Sequence, residues 1–355
     1  MSDIKLFSEE EIREKAHLMA QNYIGGSWKN ANTSNLIIRE IKISPTSLIY
    51  YCSLKDDKNP SDNNKGPTEI VFRIFRMEHE SDYDKIATKA IIFTLLSERK
   101  IGPKLLGIFA EYRLEEYLQG DGLTYEELSN PNISIAVATH LAKLHSLQLP
   151  IEKRITIFKE TKRYLSEKLQ EASSKISELI SSFNLMDELE WLTNKLKSMK
   201  LSVVFSHNNL NASNIRIENN KKFCMEDRIV FLGFARCSYN YRAYDIAEYF
   251  FQWCIDCPKN PFHVEINYKR YPNLEQQLLF IRTYLTWSCW PINERNNPSN
   301  IEDHLLNELK VLRLASHLIS ISRTEDYSKK YFNYLDFIKA RIERYFYEKK
   351  KFLQE

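Results

Sequence analysis

The sequence predicts an α+β fold in two unequal lobes. A small antiparallel sheet with one principal helix spans residues 1–118, and a large, mostly helical lobe spans residues 119–355. Three observations predict it. Before Leu118 the apolar residues cluster in short β-rich runs separated by polar turns. After it they recur at the i, i+3, i+4 spacing of amphipathic helices. Within the helical half, a strand-like run from Val203 to Phe205 delivers the chain to a polar loop, SHNNLNASNI (206–215).

In order, residues 8–22 form a helix, with Ser8 as N-cap and Glu11 closing a capping box. NLIIREIKI (35–43) and SLIYYCSL (47–54) flank Ser44-Pro45-Thr46 and make a hairpin. A polar loop (56–67) leads to a third strand, TEIVFRIF (68–75). Residues 81–99 are helical and stop at Gly102-Pro103. LLGIFA and YRLEEYL (105–118) add two strands. IAVATHLAKLHSL (135–147) is a strongly periodic helix, and 155–200 reads as two helices broken near Asn184. Short strands follow at 203–205, 215–217 and 229–232. Helices then run over 242–254, 274–290, 302–323 and 328–350.

The 355 residues are 43% apolar and 27% charged, with a net charge of only +3, so bulk charge marks no nucleic-acid partner. The one tight basic run, Lys349 to Lys351, reads as a solvated helix end. No apolar run reaches the roughly 18 residues of a membrane span. MSDIKLFSEEEI has no apolar leader core, and the six cysteines read as reduced thiols, so a cytoplasmic protein is expected. The sequons at Asn32, Asn132 and Asn211 are then idle. Cys254 and Cys257 form a single Cys-x-x-Cys without the second ligand pair that zinc requires.

The polar loop carries the chemistry. Kinase-type phosphoryl transfer uses such a loop, with an Asp as base and an Asn five residues later for Mg²⁺. Here Asn214 holds the second position, and Asn209 stands at the first. The chain resembles the choline/ethanolamine kinase family. YIGGSWK (23–29), FTLLSERKIGPKLLGIF (93–109), RLEEYL (113–118), SHNNLNASNI, SYNYRAYDIAEYF (238–250) and LASHLIS (314–320) match its motifs in order. The resemblance implies a bilobal protein-kinase-like fold of the kind that aminoglycoside phosphotransferases share. It also implies dimers, Mg-ATP as cofactor, and phosphorylation of choline or ethanolamine on the way to phosphatidylcholine and phosphatidylethanolamine. For this chain it points to Arg73, Glu115 and Tyr117 for the nucleotide, and to His207 and Asp245 as loop supports. Tyr239, Tyr241 and Arg242 would pack beneath the site.

The reactive positions depart from that pattern. Asn209 has no conjugate base, and loss of a positioned base slows a reaction about 10²- to 10⁴-fold. The family's Asp-Phe-Glu becomes Gly233-Phe234-Ala235, so Asn214 alone faces a hard cation that wants carboxylates. Glu226 and Asp227 are the nearest upstream acids, but along a strand Asp227 would sit about 20 Å from Gly233. Asn208 and Asn211 offer oxygens instead. Ile43 and Ser44 replace the phosphate-loop glycines, and Pro45 has no N–H. The partner position of Arg73 aligns with Lys89, which predicts two facing cations. In the choline cage, Gln252 stands before Trp253 where an acid is expected, Arg236 replaces a tyrosine, and 318–325 contains no aromatic residue. The expectation is a choline/ethanolamine kinase-like protein that has lost catalysis and acts by binding, as a homodimer or as a heterodimer with an active relative. The alternatives are an active kinase with a rearranged site and a metal-free binder of ATP or another anion at Arg73, Lys89 and Arg236.

Overall fold

The computed structural model describes residues 7–44, 47–55, 66–75, 83–120, 122–171, 175–218, 224–256, 265–288, 298–328 and 334–354. The chain divides into two compact units, Met1–Gln119 and Gly120–Glu355.

In the first unit, α1 (Glu9–Tyr23) begins with the expected reciprocal cap of Ser8 and Glu11. A short α2 (Ser27–Asn30) follows. The sheet comprises β1 (Leu36–Ser44), β2 (Ser47–Leu54), β3 (Glu69–Phe75), β4 (Leu105–Ile108) and β5 (Tyr112–Glu116), in the antiparallel order β1-β2-β3-β5-β4. Alternation decides its faces. Along β3, Ile70, Phe72 and Ile74 are buried against Ile12, Ala16, Ala20 and Trp28, while Val71 and Arg73 point to the other face. The helix α3 (Tyr83–Glu98) carries Phe93 over the Arg113 guanidinium of β5, 3.2 Å from ring centroid to carbon. The hairpin register pairs Ser44 with Ser47; the expected link at Pro45-Thr46 and most of the polar loop at 56–67 lie outside the described residues.

The second unit begins with the single turn α4 (Tyr125–Leu128) and α5 (Pro131–His145), whose first turn is capped by Asn130 and primed by Pro131. Residues 155–200 form three helices rather than the expected two: α6 (Ile157–Gln170), α7 (Lys175–Ser182) and α8 (Leu185–Ser198). Extended backbone at Glu171 ends α6, and left-handed Asn184 separates α7 from α8. Two small ribbons frame the polar loop. One pairs β6 (Val203–Ser206) with β9 (Ser238–Tyr241), and the other pairs β7 (Ile215–Ile217) with β8 (Ile229–Phe231). Strand β9 was not anticipated. Glu226 and Asp227 lie on a helical turn, α9 (Met225–Arg228), not on a strand as expected. Then come α10 (Ala243–Gln252), the tiny ribbon of β10 (Ile255–Asp256) and β11 (Glu265–Ile266), α11 (Leu274–Trp287), α12 (Pro298–Ser328) and α13 (Tyr334–Gln354). Cys254 is a buried free thiol, and Cys257 lies outside the described residues. Among the described residues no helix is long and apolar enough to cross a membrane.

Candidate functional site

The polar loop is held from beneath by one carboxylate. Asp245, in the first turn of α10, is fully buried. Its Oδ2 accepts the backbone N–H of His207 at 2.6 Å, and its Oδ1 accepts that of Asn208 at 2.7 Å. His145, at the end of α5, reaches Asp245 Oδ2 through Nε2 at 3.1 Å and the Tyr284 hydroxyl through Nδ1 at 2.9 Å. Burial alone would raise the Asp245 pKa; the hydrogen bond and charge of His145, with the His207 contacts, outweigh it and hold the carboxyl below its ordinary range.

His207 is positioned at both ring nitrogens. Nε2 lies 2.8 Å from the Leu232 carbonyl, which can only accept, so Nε2 carries the proton. Nδ1 then accepts the Asn209 N–H at 3.3 Å. Its ring is therefore a strut between β8 and the loop.

Asn208 is buried with φ 60°, and its side chain is fully committed. Nδ2 donates to Ser238 Oγ at 2.9 Å and to the Arg236 carbonyl at 3.2 Å, and Oδ1 accepts from Asn240 Nδ2 at 2.8 Å. The Asn208 oxygen, expected as a possible cation donor, is engaged by Asn240. Asn211 Oδ1 likewise caps the turn at 212–214, accepting from Ser213 Oγ at 2.8 Å and the Asn214 N–H at 3.1 Å.

Asn209 is half-buried, and its Oδ1 accepts from Asn211 Nδ2 at 3.3 Å. Asn214 Nδ2 donates to the Asn209 carbonyl at 2.9 Å, so the base and metal positions are tied together. The decisive geometry lies opposite Asn214. Gly233 follows β8 with φ +78°, and a Cβ there would stand 2.6 Å from Asn214 Oδ1 and 2.7 Å from its Cγ and Nδ2. Real Cβ atoms do not approach so closely, so the Asn214 amide fills the space through which a side chain at 233 would emerge. The residues present do not fit Mg²⁺. Two carboxamides and a glycine replace the hard anionic donors it needs, and Asp227 is exposed on its turn, where it accepts from Cys224 Sγ.

In the first unit the Lys89 alignment predicted a second cation facing Arg73; the cation seen across from Arg73 is Arg113, and a carboxylate, Glu115, binds both. The register pairs Arg73 with Arg113 across β3 and β5, and alternation brings Glu115 to the same face. Glu115 Oε1 takes Arg73 Nε at 2.8 Å and Arg113 Nη2 at 2.7 Å. Burial would raise the Glu115 pKa, but Arg113 and Arg73 together pull it well below the carboxylate range. Burial presses Arg113 down to about 10. The Glu115 side chain is thus absorbed within the sheet, and Tyr117 meets Tyr51 edge-on at 4.5 Å.

Of the expected cage residues, Arg236 is half-buried and meets the loop through its carbonyl. Gln252 and Trp253 are buried at the end of α10, where Trp253 packs edge-on against Tyr249 and Phe250. Tyr239 holds residue 149 through its hydroxyl, and Arg242 makes a buried pair with Glu308 of α12 at 2.6 Å. The reading of the sequence missed His145, Arg113, Asn240 and Glu308. Arg113 left a signal, the lone cation of a short strand, YRLEE, that also carries two acids.

Comparison with known proteins completes the picture. The choline/ethanolamine kinase family profile matches residues 38–346. A rat choline/ethanolamine kinase is 30% identical over 354 residues, covering 96% of this chain and 87% of the relative. Its human counterpart is 31% identical with the same coverage. Among solved structures, a choline kinase from Cryptosporidium parvum superposes with a TM-score of 0.76 at 23% identity, covering 96% of both chains. A Plasmodium vivax ethanolamine kinase superposes with a TM-score of 0.70 at 18% identity, covering 96% of this chain and 90% of its own. The protein-kinase-like fold is thereby shared. With the profile matching residues 38–346 and a relative 31% identical over 96% of the chain, the chain belongs to the choline/ethanolamine kinase family.

Proposed function

We propose that this protein is a non-catalytic member of its family, acting in phospholipid biosynthesis as a binding or regulatory partner. The observation that carries the reading is the contact at Gly233. The metal acid is missing, and the Asn214 amide occupies the place from which one would extend. Asn209 cannot accept a proton, and Asn208 and Asn211 have their oxygens engaged. The frame of the loop, by contrast, is intact down to the Asp245 carboxylate. A chain that keeps the braces and drops the reactive groups serves through its shape. The partner that fits is a second copy or an active choline/ethanolamine kinase of the same fold.

A coupled ADP-release assay with Mg-ATP and choline, then ethanolamine, tests this. The wild type is expected to stay at background. Turnover at an ordinary kinase rate would overturn the reading and establish an ATP-dependent choline or ethanolamine kinase with a rearranged site. Asn209→Asp, alone and with Gly233→Asp, should remain silent as long as Asn214 holds its place. Light scattering of the protein alone and with an active relative reads the partner.

A further inference from the structure

A cavity of about 380 Å³ opens in the second unit between α6 and α8. Its chemistry is divided. Phe158, Leu189, Leu196 and Tyr241 make an apolar floor, with Phe158 and Tyr241 tilted against each other at 6.2 Å between centroids. Lys159, Lys162 and Lys197 stand on the rim with one carboxylate, Glu190. The helical period explains the division. Phe158 and Lys162 lie four residues apart on α6, and Leu189, Leu196 and Lys197 share one side of α8. All three lysines are exposed, and none of their side chains has a hydrogen bond or ion pair to another described residue. Elsewhere on these helices, cations do find acids: Lys168 pairs with Glu171, and Arg163 with Glu167.

The size is that of a small-molecule site, and the lining joins apolar side chains to polar ones, Thr193 and Asn194 among them. Three ammonium groups from two helices suit an anion with three oxygens to share. A carboxylate offers two oxygens in a plane and is matched better by the fork of an arginine, which the rim lacks. A lysine can lay its stem along apolar surface while its ammonium stays in water, so exposed lysines lining such a cavity can reach a bound anion.

We propose that this cavity binds a single-chain phosphate amphiphile, with its apolar chain on Phe158, Leu189, Leu196 and Tyr241 and its phosphate on Lys159, Lys162 and Lys197. The site is separate from the residues of the catalytic-type loop, and it does not depend on whether the protein turns over ATP.

Titration calorimetry of the full chain with octyl phosphate, kept below micelle formation, tests it. Octyl glucoside and inorganic phosphate serve as controls. Saturable one-to-one binding is expected, with both controls much weaker. Lys159→Gln/Lys162→Gln/Lys197→Gln should weaken octyl phosphate about tenfold or more, since hydrogen bonds to charged groups are each worth that order. Leu189→Trp, which fills the floor, should abolish it, and circular dichroism confirms that either variant is folded. Absence of saturable binding overturns the proposal. So does an affinity unchanged in the triple variant, or octyl glucoside binding as tightly, which would mark an apolar crevice. Inorganic phosphate binding as tightly, or binding only to phosphatidate vesicles, also overturns it, in favour of a simple anion site or a membrane-facing surface.

Discussion

Two residues at the loop concentrate the argument at the smallest scale. Gly233 takes a left-handed backbone, and Asn214 crowds its missing Cβ. Gly233→Ala should destabilise the protein by about 2 kcal/mol, from left-handed strain with the contact added. Combined with Asn214→Ala, the loss should be smaller than the sum of the two, because the clash vanishes; urea denaturation of the four-member cycle measures it. Asp245 accepts two backbone N–H groups and a histidine in a dry site. Asp245→Asn, which turns a donor toward donors, should lose about 3 kcal/mol and free the loop to exchange its amide hydrogens. The acid response follows from the same chemistry. The Asp245 and Glu115 carboxyls are both held below their ordinary values of 3.8 and 4.5. Their stabilisation is therefore complete above about pH 4.5 and is lost as pH falls through the lower folded values. Urea midpoints should be level near neutrality for these groups and fall below pH 4.5, and Glu115→Gln should flatten that limb.

At the scale of elements, the buried pair of Arg242 at the start of α10 and Glu308 of α12 locks two helices. Arg242→Met should lose about 3 to 5 kcal/mol, and Arg242→Met/Glu308→Leu should recover most of it, since the penalty lies in the abandoned charge. Element legibility followed from whether a signal was local. The capping box of α1, strand β2 and the alternation of β3 are written in consecutive residues, and their bounds fall within a residue or so of expectation. The gap between α6 and α7 was missed because no Gly or Pro marks it. Strand β9, SYNY, was missed because its polar residues look like a turn until β6 supplies the pairing and the loop claims Asn240. The candidate site was legible in its residue types, since Asn209, Asn214 and Gly233 are plain in the text. It was opaque in its geometry. That Asn208 is engaged, that Glu115 sits between two arginines, and that Asn214 leans on Gly233 all depend on segments far apart in sequence.

Across the whole molecule, each of the two compact units holds its candidate residues in contacts of its own. The first neutralises Arg73 internally with Glu115, and the second ties its loop with carboxamides. A ligand stabilises a fold only by its free concentration relative to its Kd. The melting temperature of the intact protein should therefore be indifferent to Mg²⁺ and EDTA, and differential scanning fluorimetry checks it. A shift with ATP that persists in EDTA would reveal metal-free anion binding at the arginines. The contact between Asn214 and Gly233 also couples two positions 19 residues apart in the chain. A side chain placed at 233 would meet the Asn214 amide, which would have to turn aside to admit it. The two positions therefore cannot be read one at a time: what residue 233 can contribute is set by where the amide of residue 214 rests.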